Sequence, residues 1–459
     1  MPKLVVIGLD CATPEFLFKD FKADMPNVSK ILDNGIYGNL RSTTPAITVP
    51  AWMSMMTSKD PGQLGVFGFR NRKPGSGYDD MWIATAAVIK EKKIWQYLNE
   101  NGYSTGMLGV PQTFPVEEVN GFMVSSFLTP SLESEYTYPH ELRDEIEKQV
   151  GEYIFDFANR STEPPATILK AIYLMTEKRF NLFKHFIETK NNDFMMMVEM
   201  GVDRIHHYMW SYVDPKHPKF QGEDNKFKDC IKNYYIYLDE KIGEIIKTLP
   251  EDCKIMLVSD HGAKAMQGMF LLNEWLIQEG YLVLKEYPDE VTKLHKCEID
   301  WSKSKAWAWG GFYSRIFFNV KGREPEGIIE PEKFEQEKHE LIKKLEAVKD
   351  DEGNLMGNKI YRPEDLYEEI NGDPPDLLGF FGDLSWRPGG TVGHNKLYIH
   401  ENDTGPDDGV HDWNGIYAIY DPKNPQPKKQ DQSIYDIAPT VLNIFNIDVP
   451  KDMKGKIIN

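Results

Sequence analysis

Leu4-Val5-Val6-Ile7-Gly8-Leu9-Asp10 is the stretch that decides the fold. Its apolar run is unbroken, too short for a helix of ordinary length, and closed by a carboxylate. That pattern reads as a β-strand buried on both faces. Strands of this kind belong to mostly parallel sheets, where ligand-binding groups gather just past the strands' carboxyl ends. Asp10 stands at that position, although an isolated aspartate there serves equally well as a turn or helix N-cap residue. Working outward, residues 194–198 and Lys254–Val258 form two more runs of the same kind, each followed by a polar turn and a helix-like stretch. Ile94-Trp95-Gln96-Tyr97-Leu98 ahead of Asn101-Gly102 has the form of a helix closing on its C-terminal cap. Residues 104–110 read as the strand after it. The expected class is α/β, a doubly wound, mostly parallel sheet with helices on both faces.

The remaining chain divides around that core. Residues 1–275 and 405–459 are assigned to it, with an excursion at about 112–190 read as Pro-rich turns followed by two long helices, one spanning 168–188. Residues 276–404 change character. Strand-like pieces at 305–309 and 314–320, a charged helix at 331–349 and turns at Pro374-Pro375 and Pro388-Gly389-Gly390 predict an inserted, smaller α+β lobe near the cleft. Residues 415–420 and 434–446 read as one more core strand and helix.

Composition narrows the partners. Of 459 residues, 71 are acidic and 53 basic, a net charge of −18. That balance speaks against a dedicated binder of polymeric nucleic acid, which needs a basic surface, and against adhesion to an anionic membrane. No apolar run approaches the roughly 18 residues of a spanning helix. The N-terminus reads as a strand rather than a signal peptide. Cys11, Cys230, Cys253 and Cys297 show no zinc-ligand spacing, so reduced thiols and a cytoplasmic location are expected.

Five separated segments carry candidate chemistry. Asp10 is the first. In Thr48-Val49-Pro50, opening a helical run, the threonine sits at a helix N-terminus, where free N–H groups and the dipole favour an anion such as phosphate. Simple N-capping explains the same residue without precluding nucleophilic duty. In Asp203-Arg204-Ile205-His206-His207, Asp203 and His207 are spaced i, i+4 on one helix face, a spacing that chelates one metal, and His206 at i+3 competes with His207. Ser259-Asp260-His261-Gly262 places adjacent ligand types at the end of a strong apolar strand. Gly409-Val410-His411-Asp412 precedes the last predicted strand, whereas His140, His217 and His394 are read as surface histidines. Three carboxylates, three imidazoles and a hydroxyl are about what two divalent metals need while leaving room for substrate oxygens. With two such cations the site carries roughly one net positive charge, enough to attract phosphate within an acidic chain.

The order Asp10, Thr48-x-Pro50, Asp203-x-x-x-His207, Ser259-Asp260-His261-Gly262, Gly409-x-His411 resembles the alkaline phosphatase superfamily, and within it the type I phosphodiesterase/nucleotide pyrophosphatase branch. The likeness covers about residues 1–70, 190–275 and 405–459, and residues 436–442 with 450–455 are similar to the superfamily's C-terminal signature. It implies an alkaline-phosphatase-like fold and a hydrolase of small phosphate esters or nucleotides. It also implies two divalent cations, zinc first, although the nitrogen and oxygen ligands suit Mn or Fe as well. One cation is implied at Asp203, His207 and His411, the other at Asp10, Asp260, His261 and the Thr48 oxygen. Thr48 is implied as the nucleophile, transiently phosphorylated before water releases the phosphate with retention. The same site would serve a phosphomonoesterase, a phosphonate hydrolase or a phosphoryl transferase or mutase. Sulfatases of the superfamily need Cys or Ser ahead of x-Pro-x-Arg, which Thr48-Val49-Pro50-Ala51-Trp52 does not supply. The chain also departs from the branch. Ala51 stands where Asn is usual, Leu64-Gly65-Val66 where His-Gly-Ile is usual, and Phe69 near the place of a phosphate-contacting Asn. Arg70 or Asn71 is expected to replace that Asn, since a guanidinium binds two phosphate oxygens at once, and Lys264 is a further candidate substrate contact.

Overall fold

The computed structural model describes residues 1–73, 75, 77–157, 163–402 and 407–459. Leu4–Leu9 lies inside a ten-stranded sheet, every residue buried. It is flanked in parallel by Phe194–Glu199, with Leu4 opposite Phe194 and Leu9 opposite Glu199, and by Lys254–Val258, with Gly8 opposite Val258. Thr105–Leu108 and Gly121–Val124 continue the parallel block on one side. Asn414–Tyr420 and Ile36–Arg41 extend the sheet in antiparallel sense on the other. Aligned carboxyl ends therefore deliver Asp10, the turn after Glu199 and Ser259-Asp260-His261 to one edge of the sheet.

Strand alternation divides the apolar side chains between two cores. Val5, Ile7 and Leu9 join one, closed by the helices Pro26–Asn34, Pro165–Thr189, Gly201–Val213 and Cys230–Ile246. Leu4 and Val6 join the other, closed by Thr48–Thr57, Ile94–Glu100 and Ile437–Ile444. Helices on both faces make the sheet doubly wound, as the sequence predicts. Gly8 is required by this packing. A Cβ there would meet the Trp52 ring at 2.5 Å and Val198 at 2.8 Å, so the missing side chain lets Trp52 lie against the strand.

Between 112 and 190 the structure differs from the expectation of turns and two long helices. Gly121–Val124 and Thr137–Tyr138 are strands of the central sheet. Of the two helices, Leu142–Val150 has nine residues and Pro165–Thr189 has 25. Four- and two-residue strands are too short to leave a period of two in the sequence.

Residues beyond the core strands form a further core. Ala306–Trp309, Ser314–Phe318, Leu377–Phe380 and Lys359–Tyr361 make a four-stranded antiparallel sheet, and Leu341 and Leu345 of the helix Phe334–Glu346 join Trp307 and Phe317 in its core. Gly262–Ala265 pairs antiparallel with Gly409–Asp412, setting Ala263 opposite His411. That pairing carries His411 back to the strand end occupied by His261. Among the described residues, no helix is long and apolar enough to cross a membrane.

Candidate metal centre and cleft

Each imidazole at the sheet edge is oriented through its Nδ1. His207 Nδ1 donates to the Gly409 carbonyl at 2.7 Å and lies 2.6 Å from Asp407 Oδ1. His411 Nδ1 donates to the Ala46 carbonyl at 2.8 Å, and His261 Nδ1 lies 3.2 Å from the Gly262 carbonyl. With Nδ1 so engaged, each Nε2 is turned toward the cleft. His207 Nε2 is 3.1 Å and His411 Nε2 3.8 Å from Asp203 Oδ1. His261 Nε2 is 3.2 Å from Asp260 Oδ2, 3.9 Å from Asp10 Oδ1 and 3.3 Å from Thr48 Oγ1. Donor atoms of Asp203, His261 and His411 lie within 4.8 Å of one another, as do those of Asp10, Asp260 and His261.

One oxygen of each carboxylate is anchored and the other is not. Asp10 Oδ2 accepts from Trp52 Nε1 at 2.7 Å, Asp260 Oδ1 accepts from the Cys11 N–H at 3.2 Å, and Asp203 Oδ2 accepts from Arg204. Asp10 Oδ1, Asp203 Oδ1 and Asp260 Oδ2 are buried without a hydrogen-bond partner. Buried polar atoms are nearly always satisfied. Three orphan carboxylate oxygens converging on imidazole lone pairs are what divalent cations satisfy, so the donor set fits metal.

Charge supports the same conclusion. Burial, reinforced by Asp203, raises Asp10 well above the usual carboxylate range, and burial with Asp10 beside it raises Asp260 likewise. Burial alone would also raise Asp203, but His207 and Arg204 hold it well below. Burial pushes His261 down to about 4. Burial and the neighbouring His261, stacked at 3.7 Å, push His411 well below its ordinary value. Both rings are thereby neutral, the form that ligates.

A cavity of about 230 Å³ opens at Thr48, Asp203, His207 and His411, walled by Phe69, Phe127 and Phe312. Thr48 begins the helix Thr48–Thr57, and no side chain caps that end. Arg204 grips Asp156 through Nε at 3.0 Å and Nη2 at 2.9 Å while donating to Asp203. Phe312 stacks on His411 at 3.9 Å.

The structure thus brings Asp10, Thr48, Asp203, His207, Asp260, His261 and His411 together. It resolves the choice between neighbouring histidines by burying His206 against Phe16, Trp210 and Tyr235, with Nε2 3.2 Å from the Tyr235 hydroxyl. None of the three expected substrate contacts lines this cleft. Asn71 spends Oδ1 on the Phe67 N–H and Nδ2 on the Gly68 carbonyl, bracing a turn. Arg70 points into a different cavity, with Asp79 and His295. Lys264 Nζ is held by Asp383 and by Asp412 at 2.9 Å. His217 is buried, not on the surface, 3.0 Å from the Asp408 carbonyl. Sequence reasoning missed Arg204, Asp156, Asp407 and Phe312 as site components; only the Asp203-Arg204 adjacency carried a signal.

A sequence profile of the type I phosphodiesterase/nucleotide pyrophosphatase family matches residues 4–407. The chain belongs to that family, within the alkaline phosphatase superfamily, and is a metal-dependent hydrolase of phosphoric esters. No curated protein matches its sequence. Its fold is similar to human ectonucleotide pyrophosphatase/phosphodiesterase 5, with a TM-score of 0.59 at 13% identity over 99% of this chain and 97% of that one. It is similar also to the murine counterpart, solved as an inactive threonine-to-alanine variant in complex with AMP, with a TM-score of 0.56 at 13% identity over 98% and 96%.

Proposed function

We propose that this chain cleaves nucleotide-type phosphoric diesters with Thr48 as nucleophile, through a nucleotidyl-threonine, at a site for two divalent cations, zinc in the first instance. The observation that carries the reading is the position of Thr48 Oγ1, 3.3 Å from His261 Nε2 at the cavity wall. Asp203, His207 and His411 would hold one cation; Asp10, Asp260, His261 and Thr48 Oγ1 would hold the other. When bound, the cations supply Lewis-acid stabilisation of phosphoryl charge and lower the pKa of the hydroxyl.

The chain's own residues do the rest. The helix opens with the Thr48 and Val49 N–H groups, since Pro50 has none and Ala51 bonds back to the Ile47 carbonyl, and such a helix N-terminus favours an anion. Thr48 Oγ attacks phosphorus; the Oγ–P bond forms as the ester P–O bond breaks and the leaving alcohol departs. Water then attacks the same phosphorus and the Oγ–P bond breaks, so two inversions give net retention. Arg204, fixed by Asp156, positions Asp203. Phe69, Phe127 and Phe312 give the cavity apolar walls suited to an aromatic base. AMP in the murine relative is in keeping with a nucleotide substrate. The test is turnover of a dinucleotide or nucleoside aryl ester before and after chelation. Loss on chelation and recovery with zinc is expected; undiminished turnover in fully stripped protein would overturn the reading.

A further inference from the structure

A second cavity, of about 250 Å³, lies in the lobe beside the cleft. Arg70, Lys293, His295 and Arg315 line it together with Asp79 and Trp309. In a chain whose acidic residues outnumber its basic ones by 71 to 53, most cations have a carboxylate partner at hand. Here, among the described residues, no carboxylate forms an ion pair with Arg70, Lys293 or Arg315. Arg315 is fixed instead by carbonyls, Nη1 on Arg70 O at 2.8 Å and Nη2 on Gly310 O at 3.0 Å, and its Nε is buried without a partner. Its guanidinium lies over the Trp309 ring at 5.4 Å. Burial, aided by the like charge of Arg70, lowers Arg315 below its ordinary value. Arg70, Lys293 and Arg315 outnumber Asp79 in this lining; like charges left in excess disfavour one another, and a bound anion removes that cost.

The two cavities share their walls. Phe69 lines the cleft and Arg70 the second cavity. Gly310 and Gly311 line the second cavity and Phe312 the cleft, and Arg387, which also lines the second cavity, lies over Phe312 at 4.4 Å. At Gly310 a Cβ would meet the Pro388 carbonyl at 2.4 Å, so this wall is bare backbone.

We propose that this cavity is an oxyanion subsite that takes a further phosphate group, in the first instance one carried by the substrate whose scissile phosphate lies at Thr48; the subsite rests on the hydrolase reading only for that choice of source. Arginine guanidinia suit such a group because their forked donors match phosphate oxygens.

The test separates the subsite from the chemistry. Inorganic pyrophosphate is titrated calorimetrically into the full-length zinc-loaded protein, the Arg70→Ala/Lys293→Ala variant and, as a control, a Lys343→Ala variant. Both subsite residues offer solvent-facing side chains, and circular dichroism checks that the fold is kept. Pyrophosphate affinity is expected to fall about tenfold or more in the double variant and not in the control. Affinity unchanged in the double variant would overturn the subsite, whatever the hydrolase activity proves to be. A second arm identifies the source. If the group belongs to the substrate, the KM for a nucleoside triphosphate rises about tenfold relative to that for a nucleoside monophosphate aryl ester. Lost pyrophosphate affinity with an unchanged KM ratio supports the subsite and assigns it to free phosphate.

Discussion

Asp203 and Asp260 are both fully buried carboxylates that follow the two core strands flanking Leu4–Leu9, yet their surroundings treat charge in opposite ways. Asp203 has Arg204 against one oxygen and His207 beside the other, and it is held ionised. Asp260 and its neighbour Asp10 have backbone N–H groups, an indole N–H and His261 beside them but no guanidinium, and burial raises both. One half of the centre is preset by protein charge. The other is short of positive charge, and it is the half that touches Thr48. A cation is therefore needed most where the nucleophile sits.

Several experiments break or sharpen that contrast. Thr48→Ala is expected to lower turnover by about 10³-fold or more while metal content stays nearly intact, with Thr48→Ser retaining measurable activity; steady-state rates and metal analysis check this. Asp260→Asn removes a donor from the uncompensated half. It is expected to cost one of two metal equivalents and about 10²-fold in rate, whereas Arg204→Ala, acting on the compensated half, costs about tenfold with both metals retained. Equal metal loss in the two variants would erase the distinction between halves. Trp52→Phe removes the donor to Asp10 Oδ2 and is expected to weaken zinc binding about tenfold, the usual effect of an outer hydrogen-bond partner, as read by competition with a chromogenic chelator.

The smallest effect is on stability. In stripped protein the raised Asp10 and Asp260 contribute stability that is complete below their ordinary 3.8 and is lost as pH rises through their folded values. Asp203, held low, contributes in the opposite sense, above 3.8 and down to its depressed folded value. Asp260→Asn removes one raised group, so its Tm relative to wild type is expected to become more positive by about 2 °C as pH rises from acid to neutral. Differential scanning fluorimetry reads this, and a difference independent of pH would contradict the assignment.

How much of this is written locally in the chain follows from the range of each contact. Leu4–Leu9 and Lys254–Val258 announce themselves as buried strands, and Asp10, Asp260 and His261 follow them directly, so strand and ligand are read from one window. Asp203 and His207 share a helix face, which spacing alone reveals. His411 needed more, because the Gly262–Ala265 pairing that returns it to His261 spans about 150 residues of intervening lobe. Phe312, Asp156 and Asp407 reach the cleft through tertiary packing that leaves no periodic trace. Arg70 shows the converse: neighbouring Phe69 faces the cleft, but Arg70, which opens the short strand Arg70–Arg72, lines the second cavity.

The most direct measurement is rapid acid quenching during turnover of a nucleoside aryl ester, followed by peptide mass spectrometry. The account predicts a nucleoside monophosphate covalently held on Thr48, absent from Thr48→Ala. Rapid product formation with Thr48 unmodified at every quench time, or the nucleoside monophosphate on another side chain, would contradict it.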